Sequence, residues 1–525
     1  MIACSHKVNT QKQVFYYNEA DGIASLDPAF AKNKSTMWAA HQLYNTLVEI
    51  DSNLNIIPSL AKRWTISADR LTYTFYLHND VFFQDNAIFP NGKGRRMVAN
   101  DVAYSFNRII NPATASSGAW IFNGHMAENG FSAVNDSIFQ LKLTKPFQPI
   151  LEILSMQYCS IVPHEAVEQF GKDFRSNPCG TGPFSLDYWS EGQAMVLKKN
   201  EHYWEKDSLG KQLPYLDAVK LTFYDNKATE FIQFRQGLVS FINDIDPSFK
   251  DEVLTKKGEL RTEWKDKIVL HKHPYLNIEY FGIVVDPKNP LVENSPLKIK
   301  AIRQAINYAI NKDQLMMYLR NSIGKVANAG FIPEGFPSHN TDSVKGYTYN
   351  PDKARKLLAD AGFGNKKTFP TIKLLTISTY ADFADFAAKQ LENIGMHVQV
   401  EVIQKGLLLE QTAKSQVLFF RGSWIADYPD AENYMAVFYS KNPAPPNYTR
   451  YANPAFDVLY EQSLNETNDS IRYALYRKMD QMVIDDAPIV PLFYDEVIHL
   501  VQPWVKNFNA NALNLLELRR VSIEK

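Results

Sequence analysis

The sequence predicts an α/β protein, and three features carry that expectation. Its first half is rich in short β-forming stretches separated by turns, with few helices. Beyond about Asn289 strand and helix patterns alternate as a β-α-β-α-β unit, which calls for parallel strands joined by right-handed crossovers. The 525 residues are 45% hydrophobic and 22% charged, enough for two to four domain cores and too apolar for disorder.

In chain order, Tyr73 to Leu77 alternates β-formers and ends at Asn79-Asp80, a strand followed by a turn. Asn100 is placed to cap a helix that runs to Ile110 and stops at Asn111-Pro112. Strands follow at Ile138 to Leu143, Met195 to Lys198 and Val219 to Tyr224. Ser295 with Pro296 opens a helix whose apolar face holds Ile299, Ile302, Ala305, Ile306, Ala309 and Ile310. Asn350-Pro351 opens another, stopped by Gly362. Then come strand Thr371 to Ile377, helix Asp382 to Ile394, strand His397 to Ile403, helix Leu407 to Lys414 and strand Val417 to Phe420.

Ligands of such sheets collect beyond the carboxyl ends of the strands. The segment after Phe420 reads Arg421-Gly422-Ser423-Trp424-Ile425-Ala426-Asp427-Tyr428-Pro429-Asp430, a cation, two aromatics and two carboxylates within ten residues. That makes Arg421, Ser423, Trp424, Asp427 and Tyr428 the candidate ligand-binding residues. A structural alternative stays open for each: Asp427 as a turn cap with Arg421 as its ion-pair partner, and Trp424 and Tyr428 as core.

Several function classes are set aside. With 56 Lys+Arg against 57 Asp+Glu the chain lacks the positive excess of a nucleic-acid binder. No stretch of about 18 apolar residues is present to span a membrane. Phosphate-loop, dinucleotide, nucleophile-elbow and zinc-protease motifs are missing, so no catalytic residue, cofactor or metal is expected. His271 and His273 would share one strand face, read as solvated rather than metal-binding. Met1-Ile2-Ala3-Cys4-Ser5 reads either as the tail of a bacterial lipoprotein signal, with Cys4 lipidated, or as a chance cysteine. Cys159 and Cys179 are expected to lie close together, either bridged in an oxidising compartment or as two buried thiols.

Six strings extend the reading. They are Leu26-Asp27-Pro28-Ala29; Pro58-Ser59-Leu60-Ala61-Lys62-Arg63-Trp64 with Thr72-Tyr73-Thr74-Phe75; Asn100-Asp101-Val102-Ala103-Tyr104-Ser105; Gly180-Thr181-Gly182-Pro183-Phe184 followed by Asn200-Glu201-His202-Tyr203-Trp204; Lys353 through Gly362; and Trp424-Ile425-Ala426-Asp427-Tyr428-Pro429. In order and spacing the chain resembles the family-5 extracellular solute-binding proteins, the peptide-binding components of bacterial ABC importers.

The resemblance implies a two-lobed periplasmic-binding-protein-like fold with an additional inserted α+β domain. Lobe I would be 1–46, 178–273 and 498–525, the inserted domain 47–177, and lobe II 274–497, with crossings near Tyr275 to Tyr280 and Phe493 to Leu500. It implies a short peptide as ligand, a membrane-embedded ABC importer permease as partner, and a monomer in the periplasm or cell envelope, held to the membrane only through a lipid on Cys4. By the same resemblance Asp427 would take the peptide ammonium, Arg421 would reach main-chain or carboxylate groups, and Gly180-Thr181-Gly182 would be a structural turn. The alternative is a receptor of the same fold for a nickel chelate, haem, an opine or an oligosaccharide.

Overall fold

The computed structural model describes residues 12–363 and 368–524. Cys4 lies outside the described residues. Three larger sheets organise the rest. In the first, Val14–Asn18 runs parallel to Ala218–Thr222, which continues antiparallel to Ala194–Lys199 and Phe184–Ser190. The second is the antiparallel set Ala61–Ile66, Thr72–Leu77, Ile138–Leu143 and Met126–Asn135. One continuous apolar cluster, from Phe15 and Trp38 through Phe75 and Phe106 to Leu518, backs both.

The third sheet is mixed and central. Its order is Phe241–Asn243, Ile489–Val501, Val269–Ile283, Phe419–Ile425, Ile372–Thr376 and Val398–Val402, with Lys325–Val326 joined to the second of these. The expected parallel unit is there: Ile372–Thr376 pairs parallel with both Val398–Val402 and Phe419–Ile425. Side chains of Val269–Ile283 alternate, as the two-residue period of a strand requires. Phe281 and Ile283 enter the core beneath Lys300–Ala309 and Ala381–Glu392, whereas Ile278 and Tyr280 enter the opposite core with Phe331 and Tyr434.

Val269–Ile283 and Ile489–Val501 are long antiparallel neighbours whose register shifts between Pro274 and Ile278. Those two strands carry both segments in which the resemblance puts the lobe crossings. The Gly180-Thr181-Gly182 turn is structural. Gly182 N–H donates to Leu43 O at 3.0 Å, and a Cβ at Gly182 would lie 2.3 Å from the Leu43 carbonyl carbon.

Several expectations need correction. Asn100 does not cap its helix; Ala99–Ile110 starts after Val98, whose N–H donates to Asp101 Oδ2 at 2.9 Å. Ser295 caps only a 3-10 turn, Pro296–Lys298, and the α-helix begins at Lys300 because Ile299 is extended. The strand expected to end at Tyr224 is Ala218–Thr222. The last strand of the parallel unit is Phe419–Ile425 rather than 417–420, since antiparallel pairing with Val269–Ile283 sustains it through Ile425.

Cys159 and Cys179 are free thiols, not a disulfide. Each packs as a small apolar side chain in the N-terminal core, Cys179 Sγ reaching Gln84 O at 3.7 Å, and burial pushes both thiols far above their ordinary pKa. His271 and His273 do share a face, rings stacked at 6.1 Å, but that face is half-buried rather than fully solvated. It meets His499 and Phe508, and burial lowers the pKa of both rings.

Candidate functional site

Strand Phe419–Ile425 pairs along its whole length with Val269–Ile283 and, at Phe419 and Phe420, with Ile372–Thr376 as well. Gly422 sits opposite Tyr280, and a Cβ there would come 2.7 Å from the Tyr280 ring. Glycine is therefore what lets the tyrosine lie across the strand. On the other face Ser423 stands opposite Glu279 and Arg421 opposite Phe281. Arg421 grips Glu279 with its Nε at 2.9 Å and Nη2 at 2.5 and 2.6 Å, and its guanidinium lies 3.7 Å over the Tyr380 ring. Burial raises the Glu279 carboxyl and Arg421 pulls it back, so the pair holds its charges only together. Arg320 pairs likewise with Asp495, which also accepts Asn277 Nδ2 at 3.2 Å.

Beyond Ile425 the chain turns into a loop stitched by one residue, Asn433. Its Oδ1 accepts from Trp424 Nε1 at 3.0 Å and from the Asp427 N–H at 3.2 Å, while its Nδ2 donates to Asp427 Oδ2 at 3.2 Å. Ala426 N–H donates to Leu276 O at 2.9 Å, tying the loop to the neighbouring strand. Asp427 makes no ion pair among the described residues. Its side chain is exposed, yet the protein packed around it desolvates the carboxyl enough to raise its pKa against the single opposing Asn433 bond. From the 3-10 turn Gln157–Cys159, Tyr158 feels the Asp427 charge, and its ring lies where a Cβ on Gly118 would stand 2.4 Å away.

Under the loop is a buried polar layer. Arg472 pairs with Asp430, which also accepts from Tyr476 OH at 3.0 Å and from the Glu432 N–H at 2.8 Å. Glu432 takes the hydroxyls of Tyr428 and Tyr460, and burial lifts its carboxyl to about 7. Tyr428 is buried and packs into the cluster behind the N-terminal sheets, so this loop contacts both halves of the molecule.

Of the residues singled out from sequence, Trp424 and Asp427 are brought together through Asn433. Arg421 is not the partner of Asp427; Glu279 holds it. Ser423 is half-buried beside that pair, and Tyr428 turns inward onto Glu432. Sequence reasoning missed Asn433, Glu279 and Tyr158. Glu279 alone left a signal, a single carboxylate within the apolar run Leu276 to Val285. A cavity of about 370 Å³ lined by Glu49, Glu205 and Arg519 lies among N- and C-terminal segments and does not include Asp427.

Comparison with known proteins gives the family. The chain is 25% identical to the dipeptide-binding protein of Escherichia coli (strain K12) over 100% of its own length and 97% of that protein's. It is 26% identical to the periplasmic oligopeptide-binding protein of the same organism, covering 95% and 90% respectively. Among solved structures, a periplasmic binding protein from Helicobacter pylori in complex with the peptide STSA superposes with a TM-score of 0.78 at 25% identity, over 98% of both chains. Residues 55–446 match the family described as "Bacterial extracellular solute-binding proteins, family 5 Middle", and the chain belongs to that family.

Proposed function

We propose that this protein captures short peptides in a cleft between two lobes and delivers them to an ABC importer, binding without catalysis. The observation that carries the reading is Asp427. A carboxylate that its surroundings partly desolvate gains from a cationic partner. Asp427 has one amide donor and no cationic partner among the described residues, just past the end of a strand held by Val269–Ile283. A peptide α-ammonium supplies the missing charge. Arg421 and Arg320, the two cations that act on Glu279, are each already matched by a carboxylate. A ligand carboxylate would have to share one of those cations rather than claim a free one.

The rest of the reading follows the family. Lobe I comprises 1–46, 178–273 and 498–525, with 47–177 inserted and 274–497 as lobe II. The two paired strands Val269–Ile283 and Ile489–Val501 form the connection that flexes. Cys4 is lipidated, and the receptor works as a monomer outside the cytoplasm.

Titration calorimetry with Ser-Thr-Ser-Ala, its N-acetylated form and the Asp427→Asn variant tests the assignment. Loss of a desolvated charge pair costs several kcal/mol. Acetylation and the substitution should each weaken binding by roughly a hundredfold or more, which is about 2.7 kcal/mol. Equal affinity in all three titrations would make Asp427 a turn residue and remove the peptide reading's main support.

A further inference from the structure

The inserted segment meets the 425–433 loop and the helix Asp469–Asp486 along one seam. Arg70 bridges it, donating to Gln148 Oε1 at 2.7 Å on its own side and to Thr467 O at 3.2 Å across it. Beside that bridge, on Ile150–Leu154, is Glu152. Its Oε2 is buried with no hydrogen-bond partner, as are Gln148 Nε2 and Arg472 Nε along the same seam. The charges facing Glu152 are mostly of its own sign. Asp430 and Asp469 act on it from the far side, and Glu432 lies behind Asp430. Arg472, the one cation acting on it there, is already spent on Asp430 and on Asp469 at 3.0 Å. Tyr73 and Tyr473 also sense Glu152 and stay neutral, their phenols raised by burial. Glu49, on the strand packed against this helix, is turned away to Arg519.

We propose that Glu152 is a proton-operated latch: the seam closes with its carboxyl protonated, and ionisation favours opening. A protonated carboxyl needs no counter-ion beside Asp430 and Asp469, whereas an opened seam hydrates the anion. Half-buried at the seam with Oε2 shut off from solvent, this carboxyl is pushed up to about 8, Asp430 adding to the shift. The sign follows from linkage. A group whose pKa is raised on closure stabilises the closed form fully below its open-state pKa, and that stabilisation is lost as pH rises through the closed-state value.

The latch rests on the hinged reading, and its test separates the two. Small-angle scattering of the ligand-free protein should show a radius of gyration that grows from pH 6.0 to pH 8.5. Glu152→Gln and Glu152→Leu should abolish that growth. Ser-Thr-Ser-Ala should bind the parent with proton uptake and roughly tenfold more weakly at pH 7.5 than at pH 6.0, and Glu152→Gln with no such loss. Scattering that is flat with pH, or variants that respond as the parent does, overturns the latch whether or not the peptide binds. Scattering that responds while no peptide binds at any pH supports the latch and sinks the peptide reading instead.

Discussion

At the scale of single residues, the cleft divides its charges into those already matched and one that is not. Arg421 and Arg320 have carboxylate partners; Asp427 has Asn433. Desolvation holds the Asp427 carboxyl above its ordinary range, so protons compete with a ligand cation for it. The sign is set by the ionised form being the one that binds. Affinity for a peptide with a free amino terminus is full above the raised pKa and falls as pH drops through it, and N-acetylated peptides should lack that acid limb. Asn433→Ala tests the positioning of the same group. It frees the Trp424 indole and the Asp427 carboxylate together, and affinity should drop by roughly tenfold while the acid limb persists. Retention of parental affinity would mean that the loop is held without Asn433.

At the scale of elements, strand Phe419–Ile425 accounts for what sequence could and could not disclose. Apolar periodicity and capping residues located the parallel unit and several helices and strands on either side of it, because those signals are local, but not the helices Pro454–Asn465 and Asp469–Asp486. The strand's true end escaped because it is fixed by pairing with Val269–Ile283, more than 130 positions earlier in the chain. The same non-local pairing hid the Arg421–Glu279 contact, and Asn433 is an amide like any other until the loop folds back. The strand also carries a packing requirement of its own: Tyr280 covers Gly422, just as Phe420 covers Gly282 in the adjacent pair. Tyr280 is buried and edges onto Phe331 at 5.3 Å, so it has little room to retreat. Gly422→Ala should destabilise the fold by about 1–3 kcal/mol through overpacking, read as a lower melting temperature. An unchanged melting temperature would show that the ring can shift.

At the scale of the whole molecule, two titrating groups sit on opposite sides of one closure. Asp427 must be ionised to receive a peptide, and Glu152 must be protonated for the seam to shut. Peptide affinity should therefore pass through a maximum with pH, its acid limb belonging to Asp427 and its alkaline limb to Glu152 together with the peptide's own amino group, which loses its proton at about pH 8. Glu152→Gln should leave the acid limb alone. Closure also couples binding to stability. A ligand that holds only the folded, closed form raises stability by mass action, by about 2.7 kcal/mol at a hundredfold excess over its dissociation constant. Thermal denaturation with di- to pentapeptides should show that rise for sequences that bind and none for their acetylated forms, and the rise should shrink on the alkaline side as the latch opens. Should peptides of every length leave the melting temperature unmoved while a metal chelate or a sugar raises it, the cleft is built for another solute, and the cation that Asp427 receives belongs to that solute instead.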